Sequence, residues 1–415
     1  MNRQPLIPYD LRARLLVGRT NRSDSLRTPG PTVTHAHHPA GRGHREQNDL
    51  VVLSHLRWTF VWQRPQQIVS RLATSRRTWF VEEPDAVEGL TEPRLRTEQH
   101  GDVCRVWLEV PGPDGHVCFS DPRAAGYATE LVALLGPPRS DRTAWLYTPM
   151  ALPLAEALGP KTLVYDVMDD LASFKGAPPE LTLRQRRALK NADVVFTGGR
   201  SLHRSIVQRR PEETHCFPSG VDPDHYAPAI TMRRTGPRPV AGYVGVIDER
   251  LDLELIADLA AALPEWRIRM VGPVGKIDSA SLPRARNITY PGPAQYADLP
   301  KVMAGFDVAL MPFALNEATR SISPTKTLEY LAAGLPVVST RVPDVVTDFG
   351  ELVDLQADAA GFADACRRVA EHCPEARAAK AEPTMHWHHW DTIAERMERL
   401  MASTSQSAVD REVTA

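Results

Sequence analysis

Residues 307–340, DVALMPFALNEATRSISPTKTLEYLAAGLPVVST, read as strand, loop, helix and strand. The run DVALMPF (307–313) is almost continuously apolar, which suits a strand covered on both faces. Ser323 is a good N-cap and Pro324 suits the first helical position, while Gly334 supplies the stop. Leu328, Leu331 and Ala332 fall on an inward face, and LPVVSTR (335–341) then makes the next strand. The polar residues at the helix start set the question of function. Thr325, Lys326 and Glu329 are three and four apart and share one face, beside free backbone N–H groups and the positive dipole end at 324–326. That is the make-up of an anion site. An ordinary Lys–Glu surface pair would read the same way and contribute only about 0.2–0.5 kcal/mol.

The same alternation runs outward in both directions. Upstream come DLVVLSHL, RPQQIVSRLATS, RTWFVEE, RAAGYATELVALLG, TAWLYT, MALPLAEALG, TLVYDVMDD, LTLRQRRALKNA, DVVFTGG, RSLHRSIVQRR and THCFPSG, by turns strand-like and helix-like. A Pro- and Arg-rich stretch without usable periodicity, DPDHYAPAITMRRTGPRP (222–239), interrupts it, and the pattern then restarts at VAGYVGV. Short apolar strands alternating with helices imply parallel sheets with helices on both faces. The expected fold class is therefore α/β, two Rossmann-like doubly wound domains in series with a cleft between them. The boundaries read as a disordered basic tail at 1–47, an N-terminal domain at 48–225, a linker at 226–239 and a C-terminal domain at 240–385. A final helix at 386–401, with Trp387 and Trp390 on one face, and a loose tail at 402–415 complete the chain.

Bulk composition excludes several classes. The 415 residues carry 49 Lys and Arg against 51 Asp and Glu, a formal charge of −2, so nothing calls for nucleic acid as a partner. Five scattered cysteines form no CxxC pair, and no apolar run approaches the roughly 20 residues of a membrane span. The expectation is a cytoplasmic protein, with peripheral contact at the inner face of the membrane left open. No metal site is expected, since adjacent His388 and His389 would point about 100° apart on a helix.

Further candidate residues lie at strand ends, where such sheets bind ligands. Gly245 in GYVGVIDERLDLELI permits close backbone approach, and Arg250 offers a planar charge to phosphate oxygens, although an exposed loop arginine looks the same. This stretch is not GxGxxG, which weakens a redox reading. In LVYDVMDDLASF, Asp166, Asp169 and Asp170 are carboxylates suited to base chemistry or to hydroxyl binding, with capping as the plainer role for Asp170. His55, Arg57, Trp58, Trp62, Gln63 and Arg64 crowd the loop after the first strand, a palette for sugar recognition or for a partly buried staple.

Taken together, CFPSGVD, VGVIDERLDLELI, ITYPGPAQYADLPKVMAGFDVALMPF and SPTKTLEYLAAGLPVVST resemble bacterial glycosyltransferases of the GT-B fold, close to family 4. LSHLRWTFVWQRPQQIVSRLA and YDVMDD are similar to the branch associated with teichuronic acid and other cell-surface polysaccharides. The resemblance spans about residues 48–400. It implies a nucleotide-sugar donor, UDP- or GDP-linked, held mainly by the C-terminal domain, and a carbohydrate or lipid-linked acceptor on the N-terminal one. It also implies transfer with retention and without metal or other cofactor.

By position, Glu329 matches the second glutamate of the family's pair, on the donor ribose. Arg250 lies near a diphosphate contact and Pro291 and Gly292 fall where the base rests, while the capped helix start itself adds Ser323, Thr325 and Lys326 to the donor set. Two positions depart from the pattern: Ser321 stands where the first glutamate belongs, with Asn316 and Glu317 nearby in an altered loop, and Val246 replaces an arginine. The catalytic candidates are accordingly Asp166, Asp169, His55 and Glu317. The alternatives are a GT-B epimerase or hydrolase, and a non-catalytic sugar-nucleotide-binding partner of a polysaccharide assembly complex.

Overall fold

The computed structural model describes residues 49–59, 62–137, 141–169, 171, 179–233, 236–316, 319, 322, 325–369 and 374–413. The expected tail at 1–47 lies outside them, as do Asp170, Glu317, Ser321, Ser323 and Pro324. Two compact units divide at Pro218/Ser219, and the chain from Trp390 onward groups with the first.

The first unit is built on β1 (Asp49–Ser54), α1 (Arg64–Leu72), β2 (Arg77–Glu82), β3 (Asp85–Val87), β4 (Arg94–His100), β5 (Val103–Pro111) and β6 (Gly115–His116). It continues through α2 (Tyr127–Leu135), β7 (Thr143–Leu146), α3 (Leu152–Ala157), β8 (Thr162–Val167), α4 (Pro179–Asn191), β9 (Val194–Thr197), α5 (Arg200–Val207) and β10 (Thr214–Cys216). The strand order is β10-β9-β8-β7-β1-β2-β5-β3-β6, with β4 paired to β5.

Strand β1 shows why its sequence is apolar throughout. Leu50 and Val52 pack with Ile68, Val69 and Leu72 of α1 and with Trp390, Ile393 and Met397 of the last helix. Val51 and Leu53 point the other way, into a core shared with Leu131, Leu152, Leu189, Leu202 and Ile206 of α2 to α5. Successive residues alternate between faces, and both faces are covered.

One part departs from the expected parallel sheet. β4 and β6 run antiparallel to β5 and β3. Strand β4, RLRTEQH, is mostly exposed, so its polar sequence gives no apolar run to read.

The second unit begins at Ser219, ahead of the expected linker, and the Pro- and Arg-rich stretch at 222–239 forms α6 (Pro223–Tyr226) and α7 (Pro228–Thr231). It then follows β11 (Val240–Val244), α8 (Leu253–Ala262), β12 (Arg267–Val271), β13 (Ile288–Gly292), α9 (Leu299–Met303), β14 (Val308–Met311) and α10 (Thr325–Ala332). β15 (Val337–Ser339), α11 (Pro343–Phe349), β16 (Asp354–Leu355), α12 (Ala359–Val369) and α13 (Pro374–Trp387) complete it. All six strands are parallel, in the order β13-β12-β11-β14-β15-β16. The chain leaves β11 toward one edge and returns on its other side at β14, so the order reverses between these two strands. A reversal of this kind opens a ligand crevice beyond the strand ends.

The final helix, α14 (Trp390–Val413), is separate from α13. The break between them at residues 388–389 puts Trp387 and Trp390 in different surroundings. Trp390 is buried against the first unit's core, whereas Trp387 is 61% exposed, so the two do not share a packed face. Arg71 of α1 pairs with Asp391 of α14. Among the described residues no helix is long and apolar enough to cross a membrane.

Packing is tight around β11. A Cβ on Gly242 would lie 2.3 Å from the Phe306 ring. Gly242→Ala should therefore lower stability by about 1–3 kcal/mol through overpacking, measured by chemical denaturation. An unchanged midpoint would contradict this account of the core.

Candidate functional site

Three loops converge at the reversal point of the second unit. The loop after β11 is tied to its neighbours by Gly245 N–H donating to Val271 O (2.9 Å) and Ile247 N–H to Pro273 O (2.9 Å). Gly272 N–H in turn donates to Gly292 O at 2.9 Å. The ends of β11, β12 and β13 are thereby laced into one shelf. Its closeness explains a glycine: a Cβ on Gly272 would sit 1.8 Å from Gly245 O. Gly292 has φ +86°, a conformation that side chains disfavour. Backbone without side chains is thus presented where a flat ligand could approach.

On the other side, the exit of β14 is joined to the same loop. Asp252 N–H donates to Pro312 O (2.9 Å), Ala314 N–H to Arg250 O (2.9 Å), and Thr340 Oγ1 to Phe313 O (2.8 Å). Arg250 is gripped by its own loop: Nε and Nη2 donate to Asp248 at 2.7–3.0 Å. Its guanidinium is partly exposed, so it faces a ligand only with Asp248 attached.

Helix α10 brings the polar face that the sequence singled out. Lys326 Nζ lies 2.6 Å from Glu329 Oε2, with Glu329 the more buried partner. Thr325 opens the described part of the helix. Tyr330, on the buried side, receives the Val244 N–H at 2.8 Å and donates to Val244 O at 3.3 Å, which fixes α10 to the end of β11. Tyr243 lies between the two halves of the site. Its phenol is pushed up by burial first, and the charges of Arg250, Asp248 and Glu329 all act on it. Arg250, Asp248 and Glu329 thus all lie near enough for their charges to act on the buried Tyr243 phenol.

The sequence reading missed an aromatic group that starts in the Pro- and Arg-rich stretch at 222–239. The His225 ring stacks on Tyr296 with centroids 4.0 Å apart and planes 7° from parallel, and His225 Nε2 is 3.0 Å from Tyr296 O. Burial lowers the pKa of His225, only partly offset by the Tyr296 carbonyl, Asp222 and Glu329. Beside it the buried Tyr226 hydroxyl has no hydrogen bond at normal distance. Burial and then the nearby Glu329 carboxylate hold its phenol well above the usual range. DPDHY carries no periodic signal; only an aromatic pair next to a helix-starting Pro hinted at it.

In the first unit the candidates separate. Asp166 is fully buried, and Arg64 Nε and Nη2 each donate to one of its oxygens at 3.0 Å while Nη1 donates to Phe217 O at 2.8 Å. Both carboxylate oxygens are committed to holding α1 on β8, a different task from proton transfer to an acceptor. Asp169 follows β8, half-buried, and His55 is buried at the exit of β1. Trp58 packs on Phe80 (5.0 Å) and Trp62 (5.8 Å), so the supposed sugar palette is largely core. Arg57 is buried too, and it gathers a cluster the sequence reading overlooked. It donates to Glu82 (3.1 Å), Asp85 (2.7 Å) and the carbonyls of Glu83 and Pro84. Arg105 also reaches Glu82, at 2.9 and 3.0 Å. Neighbouring carboxylates at a strand end, in VEEPD, were the available signal. Among the described residues no group of three or more His, Cys, Asp or Glu is placed to hold a metal.

Residues 238–372, most of the second unit, match the family Glycosyl transferases group 1. A relative in Bacillus subtilis (strain 168), TuaH, described as a teichuronic acid biosynthesis glycosyltransferase, is 29% identical over 168 residues. That match takes in 38% of this chain and 42% of TuaH, less than half of either.

Solved structures are similar over most of the chain. Sucrose-phosphate synthase from Thermosynechococcus elongatus aligns with TM-score 0.63 at 15% identity, covering 87% of this chain and all of that one. The Escherichia coli trehalose-6-phosphate enzyme bound with UDP-2-fluoro glucose gives 0.60 at 14%, covering 86% and 99%. The Anabaena protein HepE in complex with UDP and glucose gives 0.58 at 16%, covering 85% and 99%. The second unit carries a glycosyltransferase group 1 domain, and the chain has the GT-B fold.

Glu83 provides a test of the buried cluster in the first unit. Burial pushes its carboxyl up to about 8, only partly countered by Arg57. An acid raised from 4.5 keeps its proton in the fold while the unfolded chain loses it. Its contribution to stability is therefore full below about pH 4.5, falls as pH rises, and levels off above about 8. Glu83→Gln should remove that fall, so the variant gains on wild type between pH 5 and 8 in thermal melts. Parallel pH profiles would contradict the burial of an uncompensated carboxyl.

Proposed function

We propose that the chain transfers a sugar from a UDP- or GDP-linked donor to a carbohydrate or lipid-linked acceptor during cell-surface polysaccharide synthesis. The observation that carries this reading is the Lys326–Glu329 pair on α10, set beside the β11/β14 reversal point within residues 238–372. The solved relatives bound with UDP or a UDP-sugar support a nucleotide donor, and the TuaH similarity supports a polysaccharide acceptor.

In this reading Glu329 accepts hydrogen bonds from the donor ribose. The base rests against the backbone at Pro291 and Gly292, and the diphosphate meets Lys326 and the start of α10 near Thr325. As the sugar–oxygen bond breaks, negative charge collects on the departing diphosphate. A fixed cation and backbone N–H groups stabilise that charge without reorganising, which is where most of the rate would come from. Arg250 contributes after Asp248 yields part of its grip. Retention at the anomeric carbon and independence of metal belong to the same proposal. So does a place in the cytoplasm, at the membrane face where a lipid-linked acceptor would lie.

The test is nucleotide binding followed by turnover. Glu329→Ala removes a buried charged acceptor worth about 1.5–3 kcal/mol, so UDP or GDP affinity should fall about 10- to 100-fold in calorimetric titration. Lys326→Ala should chiefly slow release of nucleoside diphosphate from a donor panel in the presence of acceptor extract. Release that occurs equally without acceptor would favour a hydrolase. Tight binding without any release would favour a non-catalytic partner.

A further inference from the structure

The Arg57 cluster continues to an exposed histidine, His116. Asp85 and His116 face each other as a register pair between antiparallel β3 and β6. His116 Nδ1 contacts Asp85 Oδ1, and the same carboxylate oxygen receives Arg57 Nη2 at 2.7 Å. Arg57 Nη2 is also 2.8 Å from His116 Nδ1.

Two neutral tautomers meet these contacts, with Nδ1 either accepting from Arg57 Nη2 or donating to Asp85. Arg57 Nη2 has two hydrogens, and two carbonyl or carboxylate acceptors lie in reach, Pro84 O (3.2 Å) and Asp85 Oδ1. With the hydrogen on Nδ1 the ring donates to Asp85, and this is the tautomer the assignment below takes. In the neutral ring that leaves a lone pair on Nε2. Nε2 makes no hydrogen bond among the described residues, and the side chain is 46% exposed.

Each supporting group is itself anchored. Glu82 is fully buried; it accepts the Trp58 N–H at 2.7 Å, binds Arg105 and holds Arg57 in place. A ring oriented through its inner nitrogen by a carboxylate, with an outward lone pair, is built to accept a hydrogen bond. The flanking Asp85 carboxylate disfavours an anion there, whereas a sugar hydroxyl can donate. The position also fits, because Asp85 and Arg57 follow β2 and β1 at the carboxyl side of the sheet, where ligands bind in doubly wound folds.

We propose that His116, held by Asp85 and Arg57, is an acceptor-recognition residue whose Nε2 accepts a hydrogen bond from a saccharide hydroxyl. The assignment rests on the glycosyltransferase reading above and adds the acceptor side to it. His116 orients the hydroxyl, Asp85 fixes the tautomer, and Arg57 fixes Asp85.

The experiment uses the full chain, UDP-glucose and GDP-mannose as donors, and octyl glycosides of glucose, galactose and N-acetylglucosamine as acceptors. Transfer kinetics are read beside UDP and GDP titration and the shifts of the His116 imidazole resonances on adding glycoside. His116→Ala should lower kcat/KM for the acceptor about tenfold or more, with nucleotide affinity and melting temperature unchanged. Asp85→Asn keeps the size but releases the tautomer, and should lower the same constant while leaving nucleotide affinity intact.

Wild-type acceptor kinetics in both folded variants would overturn the assignment alone. So would nucleotide binding by a chain whose His116 resonances no glycoside shifts and which glycosylates none of them. A chain that binds neither nucleotide and transfers nothing overturns the functional reading, and this assignment with it.

Discussion

The Tyr330 hydroxyl against the Val244 backbone is the contact on which the candidate site depends. It is fully buried, and it joins α10 to the last residue of β11 through both the N–H and the C=O of Val244. Tyr330 directly follows Glu329, so this bond sets the height of the carboxylate over the sheet. The end of β11 is itself held by β12 through Gly245 and Val271. Loosening Tyr330 would free the helix start, the Lys326–Glu329 pair and the shelf edge together.

The two units apply one architectural rule to different chemistry. In each, strand order reverses beside the first strand, at β1/β7 and at β11/β14, and polar residues collect on loops at the carboxyl ends. The second unit offers a cation, exposed backbone and stacked rings, groups that suit phosphate and a flat base. The first unit offers carboxylates with an oriented imidazole, which suit hydroxyl groups. Its arginines 57 and 64 are spent on internal pairing with Glu82, Asp85 and Asp166. Such buried pairs are costly to break, because removal of one partner leaves an unpaired charge in a low-dielectric interior.

Much of the fold was legible because buried parallel strands leave a mark that needs no partner. Val51 and Val52 are apolar for opposite faces, and the run announces both. The Lys326–Glu329 pair was legible for a similar reason, since helical spacing of three is a local property. What escaped is long-range. Arg57 and His116 are 59 residues apart, and only the pairing of β3 with β6 brings them together. Polar β4 gives no hydrophobic period, and α6 is too short to show one. Asp166 was correctly seen at a strand end, but nothing local reveals that Arg64, 102 residues away, occupies both of its oxygens. Trp387 and Trp390 misled because a spacing of three means a shared face only if the helix is unbroken.

Hydrogen–deuterium exchange of the full chain with and without UDP or GDP tests the central claim most directly. The account predicts slowed exchange at 245–250, at 291–292 and at 325–332, segments distant in sequence that the strand ends gather into one site. Protection confined to other segments, or none at saturating nucleotide, would contradict it.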